Sequence, residues 1–130
     1  MATFDVESTE GMRWVRIDLD DDDCRTERGA LNHMKGTLRL DVPLPSLRAL
    51  WVSLFSDESV LRPRYVGTGS VYLDSTLGGY HVMQISPPER WILDTHCFWA
   101  SDGEVNLAIH RERIVTALWA GEGLLWYKTA

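Results

Sequence analysis

Hydrophobic and polar residues alternate with a period of two along much of the chain. Val15, Ile17 and Leu19 are separated by Arg16 and Asp18, and Leu38, Leu40 and Val42 by Arg39 and Asp41. Val71 and Leu73 follow Gly69, Tyr80, Val82 and Ile85 form a looser run, and Val105, Leu107 and Ile109 are separated by Asn106 and Ala108. Successive side chains of a strand point to opposite faces, so each run predicts a strand with one buried face. Turn-forming pairs punctuate the runs: Gly78-Gly79, Pro87-Pro88 and Asp102-Gly103. Many short strands with such punctuation predict an all-β protein, a sandwich or a barrel. Two segments break the pattern. Leu47, Leu50, Trp51, Leu54 and Phe55 follow helical spacing behind Pro45 and Ser46, which predicts a helix over 46–55 with Ser46 as N-cap. Ile114, Val115, Leu118 and Trp119 fit a second helix over 112–119, although their β-branched content also suits a strand.

The halves of the chain echo each other. Shifted by 67 positions, Gly36 falls on Gly103, Leu38 on Val105 and Leu40 on Leu107. Shifted by 68, Ala49-Leu50-Trp51 falls on Ala117-Leu118-Trp119, and shifted by 64, Glu58 falls on Glu122. The order is preserved throughout. One domain of two pseudo-repeats is expected, about 12–73 and 80–130, each with an apolar face that only the other can bury. The second repeat has no counterpart of Gly67–Leu73. An unclosed sheet edge is expected there, which is a place for another chain to pair.

Bulk properties narrow the function. At 130 residues the chain suits one domain with a core of its own. The net charge of -6 argues against affinity gained by neutralising phosphates and against docking on an anionic bilayer. Two cysteines, Cys24 and Cys97, make no disulfide framework and no C-x-x-C. The acidic start MATFDVESTEGMRW has neither a basic leader nor a long apolar core, and no run approaches the roughly 20 apolar residues of a membrane span. A cytoplasmic protein without a membrane segment is expected.

Catalytic and metal signatures are weak. The run DLDDDD (18–23) lacks the glycine and closing glutamate of a calcium loop, and reads as a solvated acidic turn. The histidines His33, His81, His96 and His110 form no H-x-H or H-E-x-x-H, and His96 and Cys97 would point to opposite faces of a strand. Gly67-Thr68-Gly69 lacks the third glycine and the following helix of a nucleotide loop, and reads as a tight turn entering a strand. No G-x-S-x-G elbow occurs. The sequence therefore assigns no catalytic, cofactor-binding or metal-binding residue. Six tryptophans are many for this length, and tryptophan favours cores and subunit contacts. Trp51, Phe55, Trp119 and Trp126 are the candidate interface residues.

Several stretches together resemble the bacterial members of the altered-inheritance-of-mitochondria (AIM) family. They are GALNHMKGTL (29–38), VGTGSVYL (66–73), the following His81-Val82, ILD (92–94), WASDGEV (99–105) and WAGEGL (119–124). The resemblance spans about residues 12–130. It implies a fold similar to the trp RNA-binding attenuation protein, a β-sandwich or double-stranded β-helix of two pseudo-equivalent halves. It carries no catalytic residues. Its mitochondrial members are linked to inner-membrane architecture, a role for which this sequence shows no membrane segment. Family members commonly continue through further strands after the segment matching GEGL, so closure of the second half is expected to fall to a partner subunit.

The leading expectation is a non-enzymatic, self-assembling interaction module, a homo-oligomer without cofactor. The rivals are a small-ligand or RNA-binding protein, by analogy of fold, and a metal-dependent β-barrel enzyme using His81, His96 or His110. Fold analogy is a weak guide to function.

Overall fold

The computed structural model describes residues 1–42, 62–86, 88–94, 97–111 and 125–129, with backbone alone over 108–111 and 125–129. The expected helices at 46–55 and 112–119 lie outside these residues, as does most of what the repeat aligns over 43–61 and 112–124. The described elements are all strands, in two antiparallel sheets.

The larger sheet is built on β2 (Met12–Thr26), the longest strand. β1 (Thr3–Thr9) precedes it through a two-residue turn in which Glu10 and Gly11 both take positive φ, 53° and 82°. That backbone matches the twist of a hairpin, and Thr9 pairs with Met12 across it. On its other side β2 pairs with β4 (Arg64–Leu73), and β4 pairs with β3 (Leu31–Asp41), giving the order β1-β2-β4-β3. β6 (Ala100–Asp102) pairs with the end of β2, at Cys24–Thr26, beyond the stretch taken by β1. The smaller sheet has the order β5-β8-β7, from Ile92–Asp94, Leu125–Thr129 and Leu107–Arg111.

The acidic run is not a turn. It lies inside β2, at a bulge between Leu19 and Asp22, where Asp21 takes φ 49° and donates its N–H to Thr68 Oγ1 at 2.9 Å. The bulge has a simple consequence for the core. Val15, Ile17 and Leu19 face inward at odd positions, and Cys24 and Thr26 face inward at even ones. One extra residue changes the parity and keeps Asp21 and Asp23 out of the interior. Asp23 instead accepts a hydrogen bond from Arg64 Nε at 2.6 Å.

From β4, Tyr65, Val71 and Leu73 complete the core, with Ala2, Ala30 and Phe98. The fully buried Ile17, Val71 and Leu73 side chains contribute roughly 1.5–3 kcal/mol each. Phe98 sits under the guanidinium of Arg62, which lies 4.5 Å from the ring centroid. The run Tyr80, Val82, Ile85 forms no strand. Its period fails after Val82, which is half exposed, while Tyr80 leans on Trp99 (5.9 Å between centroids) and donates its hydroxyl to the Asp74 carbonyl.

Candidate functional site

β3 is the long edge of the larger sheet. Among the described residues no strand pairs with its outer side. Its eleven residues alternate cleanly after a bulge at Asn32. His33, Lys35, Thr37, Arg39 and Asp41 share the polar face, because His33 pairs with Tyr72 and Lys35 with Ser70. Met34, Gly36, Leu38 and Leu40 share the apolar face, opposite Val71, Gly69, Gly67 and Tyr65. Leu38 packs on the core, yet Met34, Leu40 and the following Val42 remain 44%, 48% and 51% exposed. A strand edge with half-exposed apolar side chains along one face is the template on which another strand can add.

Three glycines hold this edge to the sheet. Gly67-Thr68-Gly69 is not a turn; it lies within β4, directly against Gly36 of β3. Gly36, Gly67 and Gly69 take φ of 120°, 134° and 153°, a region that side chains rarely enter. A Cβ on Gly36 would come within 2.6 Å of Gly69 Cα, and one on Gly69 within 2.9 Å of Gly36 Cα. A Cβ on Gly69 or Gly67 would also strike the carbonyl oxygen of Lys35 or Thr37. Those two carbonyls therefore aim at β4. By antiparallel alternation the backbone groups of Met34, Leu38 and Leu40 aim at the open edge.

On the polar face of the sheet one arginine gathers three carboxylates. Arg16 Nη2 donates to Asp5 at 2.9 Å, its Nε donates to Asp18 at 3.0 Å, and its Nη1 donates to Glu7. Partial desolvation opposes the charge, but Asp18 and Glu7 outweigh it and hold the guanidinium above its usual value. Trp14 Nε1 donates to Glu7 and Ser70 Oγ to the second oxygen of Asp18. Beyond them the His33 ring stacks on Tyr72, with centroids 4.3 Å apart and planes within 10°. Asn32 bridges this pair to the end of β4, with its Oδ1 2.8 Å from His33 Nδ1 and its Nδ2 donating to Asp74.

Among the described residues no group of three or more His, Cys, Asp or Glu is arranged to hold a metal. His81 is exposed in the segment after β4, His96 lies outside the described residues, and His110 is known only as a β7 backbone position facing Trp126. Cys24 is fully buried, and desolvation, with the charges of Asp23, Asp102 and Asp22, pushes its thiol up to about 12. A thiol so placed is inert as a nucleophile. Cys97 is free and exposed.

Of the expected interface residues, Trp51, Phe55 and Trp119 lie outside the described residues. Trp126 is a backbone position in β8, paired with Asp94 and His110. The other tryptophans divide: Trp99 packs on the core, Trp14 is hydrogen-bonded on the polar face, and Trp91 is 42% exposed. The β3 edge is absent from the expected interface. The alternation at Leu38, Leu40 and Val42 marks it, but Gly36 interrupts the apolar series, so the strand's full length is hidden.

Fold and surface together define an all-β protein built on an open antiparallel sheet. No helix among the described residues is long and apolar enough to cross a membrane. The chain belongs to the mitochondrial biogenesis AIM24 family, whose family model matches residues 4–130. No curated protein and no solved structure matches it.

Proposed function

We propose that the chain is a non-enzymatic interaction module that assembles with copies of itself in the cytoplasm. Its architecture in this reading is the two-repeat, trp RNA-binding attenuation protein-like fold, with the repeats at about 12–73 and 80–130. The observation that carries the proposal is the edge of β3, open among the described residues, eleven residues long and lined by half-exposed Met34 and Leu40. Burial of such a strip on association is favourable at roughly 25 cal/mol per Å² of apolar surface. Trp51, Phe55, Trp119 and Trp126 are assigned as aromatic anchors of the same assembly, since large aromatic side chains dominate contact energies.

Two further observations support it. The net charge of -6 opposes nucleic acid as partner. The carboxylates of the polar face, Asp5, Glu7 and Asp18, are all engaged by one arginine, which leaves them poorly placed to transfer protons to a substrate. The test is the mass in solution. Light scattering behind a sizing column is expected to give a multiple of 14.8 kDa that falls on dilution. A mass of 14.8 kDa at every concentration up to millimolar overturns the proposal.

A further inference from the structure

We infer that β3 pairs antiparallel with β3 of a second copy about a two-fold axis at Leu38, so that two larger sheets become one. The inference rests on the self-association reading above and adds its contact and register. The charges of β3 decide the register. With Leu38 on the axis, Lys35 lies opposite the partner's Asp41, and Asp41 opposite the partner's Lys35. Thr37 and Arg39 face each other in the same way. Both ion pairs form on the polar face, where Lys35, Arg39 and Asp41 are exposed.

The apolar face matches in the same register. Leu38 meets its own copy, Met34 meets the partner's Val42, and Gly36 meets the partner's Leu40. Gly36 has no side chain, so the half-exposed Leu40 of the other copy has space beside it. The neighbouring even registers are worse. With the axis at Thr37, Lys35 faces the partner's Arg39; with the axis at Arg39, two arginines face each other. Like charges directly opposite destabilise a strand pair. The backbone agrees as well, because the groups of Met34, Leu38 and Leu40 are those turned away from β4. Two four-strand paths, β1-β2-β4-β3 and its copy, then form a continuous sheet of eight strands. A two-fold contact of this kind uses the same patch on both subunits and closes on itself.

The test is a charge swap read by sedimentation over a dilution series. Lys35→Asp places Asp opposite Asp at both symmetric positions, and Asp41→Lys places Lys opposite Lys. Each single variant is expected to weaken association about tenfold, from two cross-strand pairs turned from attractive to repulsive. The double variant K35D/D41K is expected to recover it. Asp41 also lies near Arg64 in its own chain, so thermal melting of each variant separates a folding defect from an association defect. Lys35→Asp, on an exposed residue without such a neighbour in its ladder, is the decisive variant. A wild type that is monomeric at all concentrations removes both this inference and the proposed function. A wild type that assembles while Lys35→Asp assembles equally well overturns the β3 contact and leaves self-association standing. Weakened single variants without recovery in the double overturn the register.

Discussion

Gly69→Ala is expected to break the sheet from within. Gly69 holds φ 153° in the middle of β4, where a residue with a Cβ pays about 1–3 kcal/mol in backbone energy alone. The added methyl would also lie within 2.9 Å of Gly36 Cα and 3.1 Å of the Lys35 carbonyl carbon. Both obstacles are backbone atoms of the neighbouring strand, so no rotamer change relieves them. Either the β3–β4 ladder opens there or β4 bends away from the core that Val71 and Leu73 fill. Together these costs come to about 3–5 kcal/mol, a large part of the ~5–15 kcal/mol by which a domain is stable. Gly11→Ala supplies the control. Gly11 also has positive φ, 82°, but nothing lies within 4 Å of a Cβ there. It is expected to cost about 1 kcal/mol, the conformational part only. Urea unfolding with equal slopes measures both. If Gly69→Ala lies within about 0.5 kcal/mol of Gly11→Ala, the backbone crowding at the β3–β4 crossing carries no energy and the argument fails.

Cys24 is expected to stay silent to a thiol reagent at pH 8 in the folded protein, so that one thiol of two reacts, and to react fully in denaturant. Its burial also makes the fold sensitive to alkali. The folded thiol keeps its proton up to about pH 12, whereas in the unfolded chain it loses it near 9.0, so its contribution is complete below 9 and drains away between 9 and 12. That loss is on the order of 4 kcal/mol over the whole window, and Cys24→Ala is expected to remove it, so that stability falls less steeply with pH in that range, where the raised Tyr65 hydroxyl still contributes. Arg16→Gln is expected to lower the melting temperature at low salt, because Asp5, Glu7 and Asp18 then face one another without their common cation. The deficit is expected to shrink in high salt; a deficit that salt does not change would mean Arg16 acts by packing alone.

The parts of the fold that sequence reveals are those in which one residue type repeats on one face. The alternation at Val15, Ile17 and Leu19 marks β2, and Val71 and Leu73 mark the end of β4, because both series are buried on one side and polar on the other. What escapes is set by the backbone. β1 is hidden because its turn uses Glu10 at positive φ, where Asn or Asp would have announced a hairpin. The acidic run reads as a turn because a bulge leaves no mark in composition; only the change of parity from Leu19 to Cys24 betrays it. Gly67-Thr68-Gly69 reads as punctuation because a glycine pair says nothing of its neighbour, and its neighbour here is Gly36, far away in sequence. The candidate site is hidden by the same glycine. Gly36 divides β3 into two short apolar runs, and neither half suggests an eleven-residue edge.

That glycine also ties the family resemblance to the proposed contact. The stretches GALNHMKGTL and VGTGSVYL, separated in sequence, lie side by side as β3 and β4. Gly36, Gly67 and Gly69 sit where the two strands come close enough to exclude any side chain. The crossing spends three glycines, each entropically costly within a strand, and what it secures is the placement of β3. A core needs no such device, since Leu31 and Leu38 would pack from a regular strand. An edge that must present Lys35, Arg39 and Asp41 in fixed order does need it, because register is what distinguishes a paired copy from a repelled one. In the proposed pairing Gly36 serves both sides of β3: toward β4 it permits the close approach, and toward a second copy it would leave the gap for the partner's Leu40. Gly36→Ala should therefore lower stability and self-association together, whereas Lys35→Asp should lower self-association alone. If Gly36→Ala destabilises the fold but the residual folded protein assembles as tightly as wild type, the two roles are separate and the glycine serves the sheet only.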